Sequence, residues 1–344
     1  MSLVFKKLTL DCVETLRPYF TNNECRICDC TVGGTFIWRD YHKTEYAVEN
    51  GCLYIKVGYP VPAFAPPRVA GAALLAMNDM KNSPASVDRH HPVSDMIPTS
   101  GGIPASGSIT ASGNIPVSSR AREAYERIIK HCALRGEAAR LCSVSETVLE
   151  SVLMMYPGSK VSTNRDWSDY LYLSEDLVNL SGRKFAGQRN HINRFSREYH
   201  TWSFDDITSD NISDARAYIE KFAREFEKDS PVYMEGNKKT LEVLDNLELF
   251  KQIGGVLSVG GKIVGVSLGE VTNDTLYVHA EKADTSYYGS YPMLMNQFAK
   301  RFATDGIKYI NREEDDGVEG LRISKTSYHP VEMLDKYLVE LINA

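Results

Sequence analysis

The sequence has no apolar run of the roughly 20 residues that carry a helix across a bilayer, so no transmembrane segment is expected. Its first residues, Met1-Ser2-Leu3-Val4-Phe5-Lys6-Lys7, lack the apolar stretch and small-residue cleavage site of a secretory signal. They read instead as a first strand. Positive charge is in deficit: 39 Lys and Arg against 45 Asp and Glu leave a net −6. That balance excludes a protein that coats duplex DNA, though not a local basic patch. Cysteine is sparse and odd in number, seven in 344 residues, which does not make a disulfide framework. There is no G-x-S-x-G elbow, no H-E-x-x-H, no G-x-x-x-x-G-K-[ST] and no dinucleotide fingerprint. Hydrolase, zinc-protease, NTPase and Rossmann dehydrogenase readings therefore fall away. The expectation is a cytoplasmic protein, at most peripheral to the inner face of the membrane.

What is present is a globular composition, 43% hydrophobic and 24% charged, on a chain long enough for two domains. Leu8 to Phe20 reads as a short helix with Val13, Leu16 and Phe20 near one face. Asn50-Gly51, between Glu45–Glu49 and Cys52–Val57, is a hairpin signal, because both residues accept the positive φ of a tight turn. Cys25, Cys28 and Cys30 form a C-x2-C-x-C run, but the second ligand pair of a closed metal site is missing. Cys52 stands alone and His42 would have to help, so no metal is expected. From Ser83 to Ser119 the texture turns to Pro, Gly, Ser and Thr, which predicts a mobile surface insert containing His90 and His91. Helices follow over about 119–135 and from the capping box Ser143-x-x-Glu146. The strand Tyr170–Leu173 closes the first domain, placed at 1–180.

The second domain is placed at 181–344 and opens on a basic helix, 181–197. This segment holds Arg183, Lys184, Arg189, Arg194 and Arg197 and no carboxylate. Helices are expected over 210–228 and 238–252, and then the apolar period changes to two. A hairpin turns at Gly260-Gly261, a third strand holds Leu276–Ala280, and a helix runs over about 291–304. A short strand at 308–310, a helical turn and a final strand complete the order. This is the element order of an acyltransferase-type α/β domain of the general N-acetyltransferase (GNAT) class. The first domain fits the same plan less cleanly. The fold class expected is α/β (α+β): two tandem acetyltransferase-like domains with mostly antiparallel mixed sheets.

Several stretches are less generic. They are Asn311-Arg312-Glu313-Glu314-Asp315-Asp316-Gly317 through Arg322, Lys325 and His329-Pro330, and His279-Ala280-Glu281-Lys282 followed by Tyr288-Gly289-Ser290-Tyr291. With Phe36-Ile37-Trp38-Arg39-Asp40 and Ser181-Gly182-Arg183-Lys184-Phe185, they resemble the bacterial family that shares the C-terminal domain of phosphatidylglycerol lysyltransferases. The resemblance implies two packed acetyltransferase-like domains, as in the Fem-type peptidyltransferases. It also implies transfer of an amino acid from an aminoacyl-tRNA donor. Its characterised members add a multi-helix membrane domain.

Acyl transfer requires a deprotonated acceptor, a polarised carbonyl and a held leaving group. Glu281, Lys282, Asn311, Glu313, Asp315, Arg322 and Lys325 are the expected catalytic set, at strand ends and on the turn beyond. Glu313 or Asp315 is expected to bind an α-amine or act as base, and Lys325 to hold an acyl oxygen or phosphate. Tyr288, Gly289, Ser290 and Tyr291, at a helix start, are the expected donor or anion site, joined by Lys184, His191, Arg189, Arg194 and Arg197. One glycine and three tyrosines there depart from the usual CoA run. The leading expectation is aminoacyl transfer to an amine or hydroxyl. A CoA-dependent N-acetyltransferase using acetyl-CoA is the second reading. A non-enzymatic protein that binds RNA, such as tRNA, or anionic lipid head groups is the third.

Overall fold

The computed structural model describes residues 2–21, 25–58, 60–70, 119–226 and 231–342. The stretch read as an insert, with His90 and His91, lies outside the described residues up to Ser119.

Two mixed sheets carry the molecule, each mostly antiparallel. The first half of the chain supplies β1 (Lys6–Lys7), α1 (Val13–Leu16), α2 (Val32–Ile37), β2 (Glu45–Glu49), β3 (Cys52–Val57), β4 (Ala63–Phe64) and β5 (Arg68–Val69). Then come α3 (Ser119–Ala133), β6 (Arg140–Val144), α4 (Glu146–Met155), β7 (Lys160–Thr163), β8 (Asp169–Leu173) and α5 (Ser174–Asn179). The second half supplies α6 (Ala186–Glu198), β9 (Trp202–Asp206), α7 (Ile212–Phe226), α8 (Pro231–Asp245), α9 (Leu247–Phe250), β10 (Ile253–Val259), β11 (Lys262–Thr272) and β12 (Thr275–Ala283). It ends with α10 (Ser290–Phe302), β13 (Tyr309–Asn311), α11 (Glu319–Thr326), β14 (Glu332–Leu334) and β15 (Tyr337–Glu340).

The first sheet has the order β1-β2-β3-β4-β6-β15-β7, with β5 also on β3; the second has β14-β8-β13-β12-β11-β10-β9. Among the described residues only β4–β6 and β12–β13 pair in parallel. Each sheet takes one strand from the far half of the chain. The strand expected to close the first domain, β8, lies in the second sheet between β13 and β14. The last strand, β15, lies in the first sheet between β6 and β7.

Local chemistry explains the hairpins. Asn50 (φ 54°) and Gly51 (φ 70°) turn β2 into β3, and Gly260 and Gly261 (58° and 78°) turn β10 into β11. Two local readings need correction. The expected helix over Leu8–Phe20 is only α1, with 3-10 turns at Leu10–Cys12 and Arg17–Tyr19, the second containing Pro18, which has no N–H. Val13, Leu16 and Phe20 are buried all the same. The capping box is displaced: Ser143 sits at φ 51° and donates to Asp29 Oδ1 at 2.6 Å, and the residue ahead of α4 is Ser145.

One core packs α3 and α4 on the first sheet through Tyr125, Ile128, Leu141, Val148, Val152 and Val339. A second core joins the halves: Val13, Leu16, Phe36 and Leu53 meet Ala215, Ile219, Phe250 and Val266. A third lies between α10 and the second sheet, around Tyr170, Tyr172, Leu276, Phe298 and Ile310. Among the described residues no helix is long and apolar enough to cross a membrane.

Candidate functional site

The second sheet opens between its two parallel strands. β12 and β13 pair only over Thr275–Tyr277 and Tyr309–Asn311. β12 then runs on to Ala283 while the other chain turns away at Arg312. A register slip against β11 pairs Val278 with Gly269 and Ala280 with Leu268, so His279 is the extra residue of a bulge. From there its ring reaches two carboxylates. Nδ1 lies 2.6 Å from Glu313 Oε1 and Nε2 3.0 Å from Glu270 Oε1. Burial opposes charge on the ring, but the hydrogen bonds to Glu270 and Glu313 outweigh it and raise its pKa to about 10. His279 is therefore an imidazolium at neutral pH and donates from both nitrogens.

Glu281 lies beyond the bulge and meets Arg312. Arg312 Nη2 and Nε donate to Glu281 Oε2 at 2.7 and 3.1 Å. Glu281 Oε1 and Arg312 Nη1 are buried with no hydrogen-bond partner among the described residues. The guanidinium lies 5.0 Å from the Tyr328 ring centre. It also lines a cavity of about 220 Å³ with Gln188 and His191 of α6, Tyr291 and Pro292 of α10, and Ser324, Ser327 and Tyr328 at α11. Lys325 fastens the segment from the other side. Its ammonium donates to the carbonyl oxygens of Arg312 (2.6 Å), Glu313 (3.3 Å) and Glu314. Burial, with Arg312 nearby, draws its pKa down.

The expected catalytic residues divide into groups. Glu281, Glu313 and Lys325 meet at the opening. Asn311 lies beneath it, fully buried, donating to Asp169 Oδ2 (2.9 Å) and the Arg26 carbonyl (2.7 Å) and accepting from Glu313 N. Asp315 and Arg322 form a separate network, with Arg322 at 2.7 Å, Tyr170 Oη at 2.6 Å and Arg165 at 3.3 Å from the Asp315 carboxylate. Lys282 faces the other side of the sheet, because neighbouring strand residues alternate, and its ammonium lies 5.3 Å from the Phe222 ring centre.

The expected anion-binding residues divide as well. Gly289 is the residue ahead of α10, at φ 82°, and a Cβ there would lie 2.7 Å from the His191 carbonyl oxygen. Ser290 Oγ donates to the Asp284 carbonyl. Arg189 is held by the carbonyls of Leu180 and Gly182, and Lys184 by Asp176 at 2.9 Å. Arg194 and Arg197 remain, lining with Asn190, Asn193 and Tyr288 an open cleft of about 660 Å³. Arg194 lies 3.7 Å over the Tyr288 ring and also pairs with Glu198 at 2.6 Å. His191 lines the smaller cavity, and its ring centre lies 5.2 Å from that of Tyr288, which lines the cleft.

Reasoning from sequence passed over Arg312, Glu270 and His279 as site residues. The i, i+2 relation of His279 and Glu281 on one strand was a signal; the bulge and Glu270 left none. It also missed Lys336. Its ammonium lies 2.7 Å from Asp169, 2.8 Å from Asp29, 2.9 Å from Glu314 and 3.2 Å from Cys28 Sγ. Cys28, Asp169 and Glu314 have ligand atoms within 4.8 Å of one another, but this ammonium already holds them. Cys25 and Cys30 stand outside that group.

A family model described as phosphatidylglycerol lysyltransferase, C-terminal, matches residues 105–340. An uncharacterized protein of Mycoplasmoides gallisepticum is 24% identical over 188 residues, 51% of this chain and 56% of that protein. The chain thus spans about half the length of that curated relative. A conserved protein of unknown function from Bacteroides thetaiotaomicron superposes with a TM-score of 0.79 at 27% identity, covering 99% of this chain and 100% of that one. L-PGS from Bacillus licheniformis superposes with a TM-score of 0.59 at 12% identity, covering 98% and 94%. The latter likeness is one of fold.

Proposed function

The chain belongs to the phosphatidylglycerol lysyltransferase C-terminal family, and from that premise we propose that it is an aminoacyl-transferring acyltransferase. Its donor is an aminoacyl-tRNA and its acceptor an amine or hydroxyl, with an anionic lipid head group as the acceptor the family name suggests. The observation that carries this reading is the pair of unused valences beside the smaller cavity. Glu281 Oε1 is a buried acceptor and Arg312 Nη1 a buried donor, each without a partner among the described residues. Leaving such atoms unpaired costs about 1–3 kcal/mol each, more for charged groups. An aminoacyl ester supplies both partners: its α-ammonium for the carboxylate and its carbonyl oxygen for the guanidinium.

The acceptor's lone pair attacks the ester carbonyl carbon, and the carbon–oxygen bond to the donor ribose breaks. The proton lost by the acceptor leaves with the ribose oxygen. Arg312 Nη1 steadies the developing oxyanion, an effect strengthened by the burial of the guanidinium. His279 is already protonated and serves as a fixed cation that positions Glu313. The open cleft beside α6 suits the single-stranded end of the donor: Tyr288 for a base, Arg194 and Arg197 for phosphates. CoA fits less well. In the first turn of α10, Ser290 N donates to Tyr287 O, Met293 N donates to Gly289 O, and Pro292 has no N–H. A pyrophosphate needs those groups free.

The test is a transfer assay with radiolabelled aminoacyl-tRNA and phosphatidylglycerol vesicles, alongside calorimetric titration with acetyl-CoA. Labelled lipid is expected from the wild type, with Arg312→Lys and Glu281→Gln at least tenfold slower. Folding of both variants is checked by circular dichroism. Micromolar 1:1 binding of acetyl-CoA, with no labelled product, overturns the reading.

A further inference from the structure

Two thiols near the opening take no part in that chemistry. Cys30 Sγ lies 3.0 Å from Cys25 Sγ, and neither is in a disulfide. Cys30 is buried at the end of the Cys28–Cys30 turn, while Cys25 is half-buried. Arg68 on β5 donates from Nη2 to the Asp29 carbonyl at 3.0 Å, between the two sulfur-bearing residues in sequence. Its Nε and Nη1 are buried with no hydrogen-bond partner among the described residues. A buried guanidinium with two unused donors is a standing demand for an anion.

We propose that Cys25 and Cys30 form a reversible dithiol–disulfide couple that responds to peroxide, with the Arg68 guanidinium stabilising the Cys25 thiolate. The assignment of roles follows from the surroundings. Cys25 is half-buried and Cys30 buried, so a peroxide reaches Cys25 first: Cys25 is the attacking sulfur and Cys30 the resolving one. The hydrogen bond from Cys30 draws the Cys25 thiol down against burial, and the Ile27 backbone, Ser145 and Arg68 add to this. Cys25 thiolate attacks one peroxide oxygen, the O–O bond breaks, and the departing hydroxide takes a proton and leaves as water. The Cys30 sulfur then attacks the sulfenic sulfur of Cys25 and expels a second water. Two thiols lose two electrons and two protons, and one peroxide becomes two waters. Cys28 is the natural competitor, since Lys336 lies 3.2 Å from its sulfur. Burial and the charges of Asp169, Glu314 and Asp29 hold that thiol well up, and no hydrogen bond to a second sulfur is recorded for it among the described residues.

The full chain is reduced, treated with hydrogen peroxide, alkylated and mapped by mass spectrometry. The expected product is one Cys25–Cys30 cross-link that dithiothreitol reverses. In Cys30→Ser the expected product is a sulfenic acid on Cys25 that dimedone traps, and in Cys25→Ser the Cys30 thiol stays reduced. Arg68→Met is expected to slow iodoacetamide labelling of Cys25 at least fivefold at pH 7, and an unchanged rate removes Arg68 from the proposal. If that variant fails to fold, the two serine variants decide alone. Recovery of both thiols as alkylated after peroxide in the wild type, or sulfenylation of Cys30 in Cys25→Ser, overturns the couple.

Discussion

His279 shows how far one residue departs from its ordinary chemistry. Glu270 and Glu313 raise its pKa from 6.5 to about 10. A base whose folded pKa is raised stabilises the native state fully below its unfolded value, and that contribution is lost as pH rises through the folded value. The loss therefore falls between about pH 6.5 and pH 10. In His279→Gln it should vanish. Urea midpoints measured from pH 6 to 10 are expected to fall more steeply for the wild type than for the variant, and parallel curves would refute the assignment. At this scale the sequence was legible in part. Glu281, Glu313 and Lys325 were legible as charged residues at strand ends. Lys282 was misleading because its neighbour points inward on one face and it points inward on the other. Asp315 and Arg322 were legible as charges, but not Asp315 as the partner of Arg165 and Tyr170 or Arg322 as the partner of Asp166, all about 150 residues away.

At the scale of elements, hairpins and amphipathic helices were the legible part, because their causes lie within a few residues. Asn50-Gly51 and Gly260-Gly261 needed only their own φ preferences. The exchange of β8 and β15 between sheets was not legible, since a strand's partner is set by distant residues. The contact between α6 and α10 is a further case, and Gly289 is its test. At φ 82° an L-residue there pays about 1–2 kcal/mol of backbone strain. A Cβ would also stand 2.7 Å from the His191 carbonyl oxygen, which is backbone and cannot rotate away. Gly136, at φ 68° with nothing within 4 Å of a built Cβ, carries the backbone strain alone. Gly289→Ala is therefore expected to lose at least about 1 kcal/mol more than Gly136→Ala in urea unfolding. Equal losses would mean that α6 moves aside at little cost.

At the scale of the whole molecule, Lys336 is the point where the two sheets are tied. It lies between β14 in the second sheet and β15 in the first. Its ammonium gathers Asp29 from the first half, Asp169 at the start of β8 and Glu314 beyond β13. With strands exchanged and a shared apolar core, the sheets are expected to unfold together in one transition. Replacing Lys336 by Met leaves the buried Asp169 and the half-buried Asp29 and Glu314 without their cation. Breaking a fully buried pair costs about 3–5 kcal/mol, and solvent at two of the three partners brings the expected loss to about 2–3 kcal/mol. The pH dependence should also change. In the wild type, Asp29 and Glu314 are held below their usual values, because burial opposes their charge and Lys336 outweighs it, whereas burial lifts Asp169 to about 7 against the pull of Lys336. The contribution of Asp29 and Glu314 is present above their unfolded pKa and is lost only as pH falls below about 4, while the penalty on Asp169 lessens as pH falls through 7. In Lys336→Met, burial and mutual repulsion raise Asp29 and Glu314 and raise Asp169 further, so their penalty grows as pH rises and lessens as it falls. Between pH 7 and 5 the thermal midpoint of the variant should therefore climb relative to the wild type. Two separated transitions in the wild type, or a variant whose midpoint tracks the wild type's between pH 7 and 5, would show that Lys336 does not join the sheets.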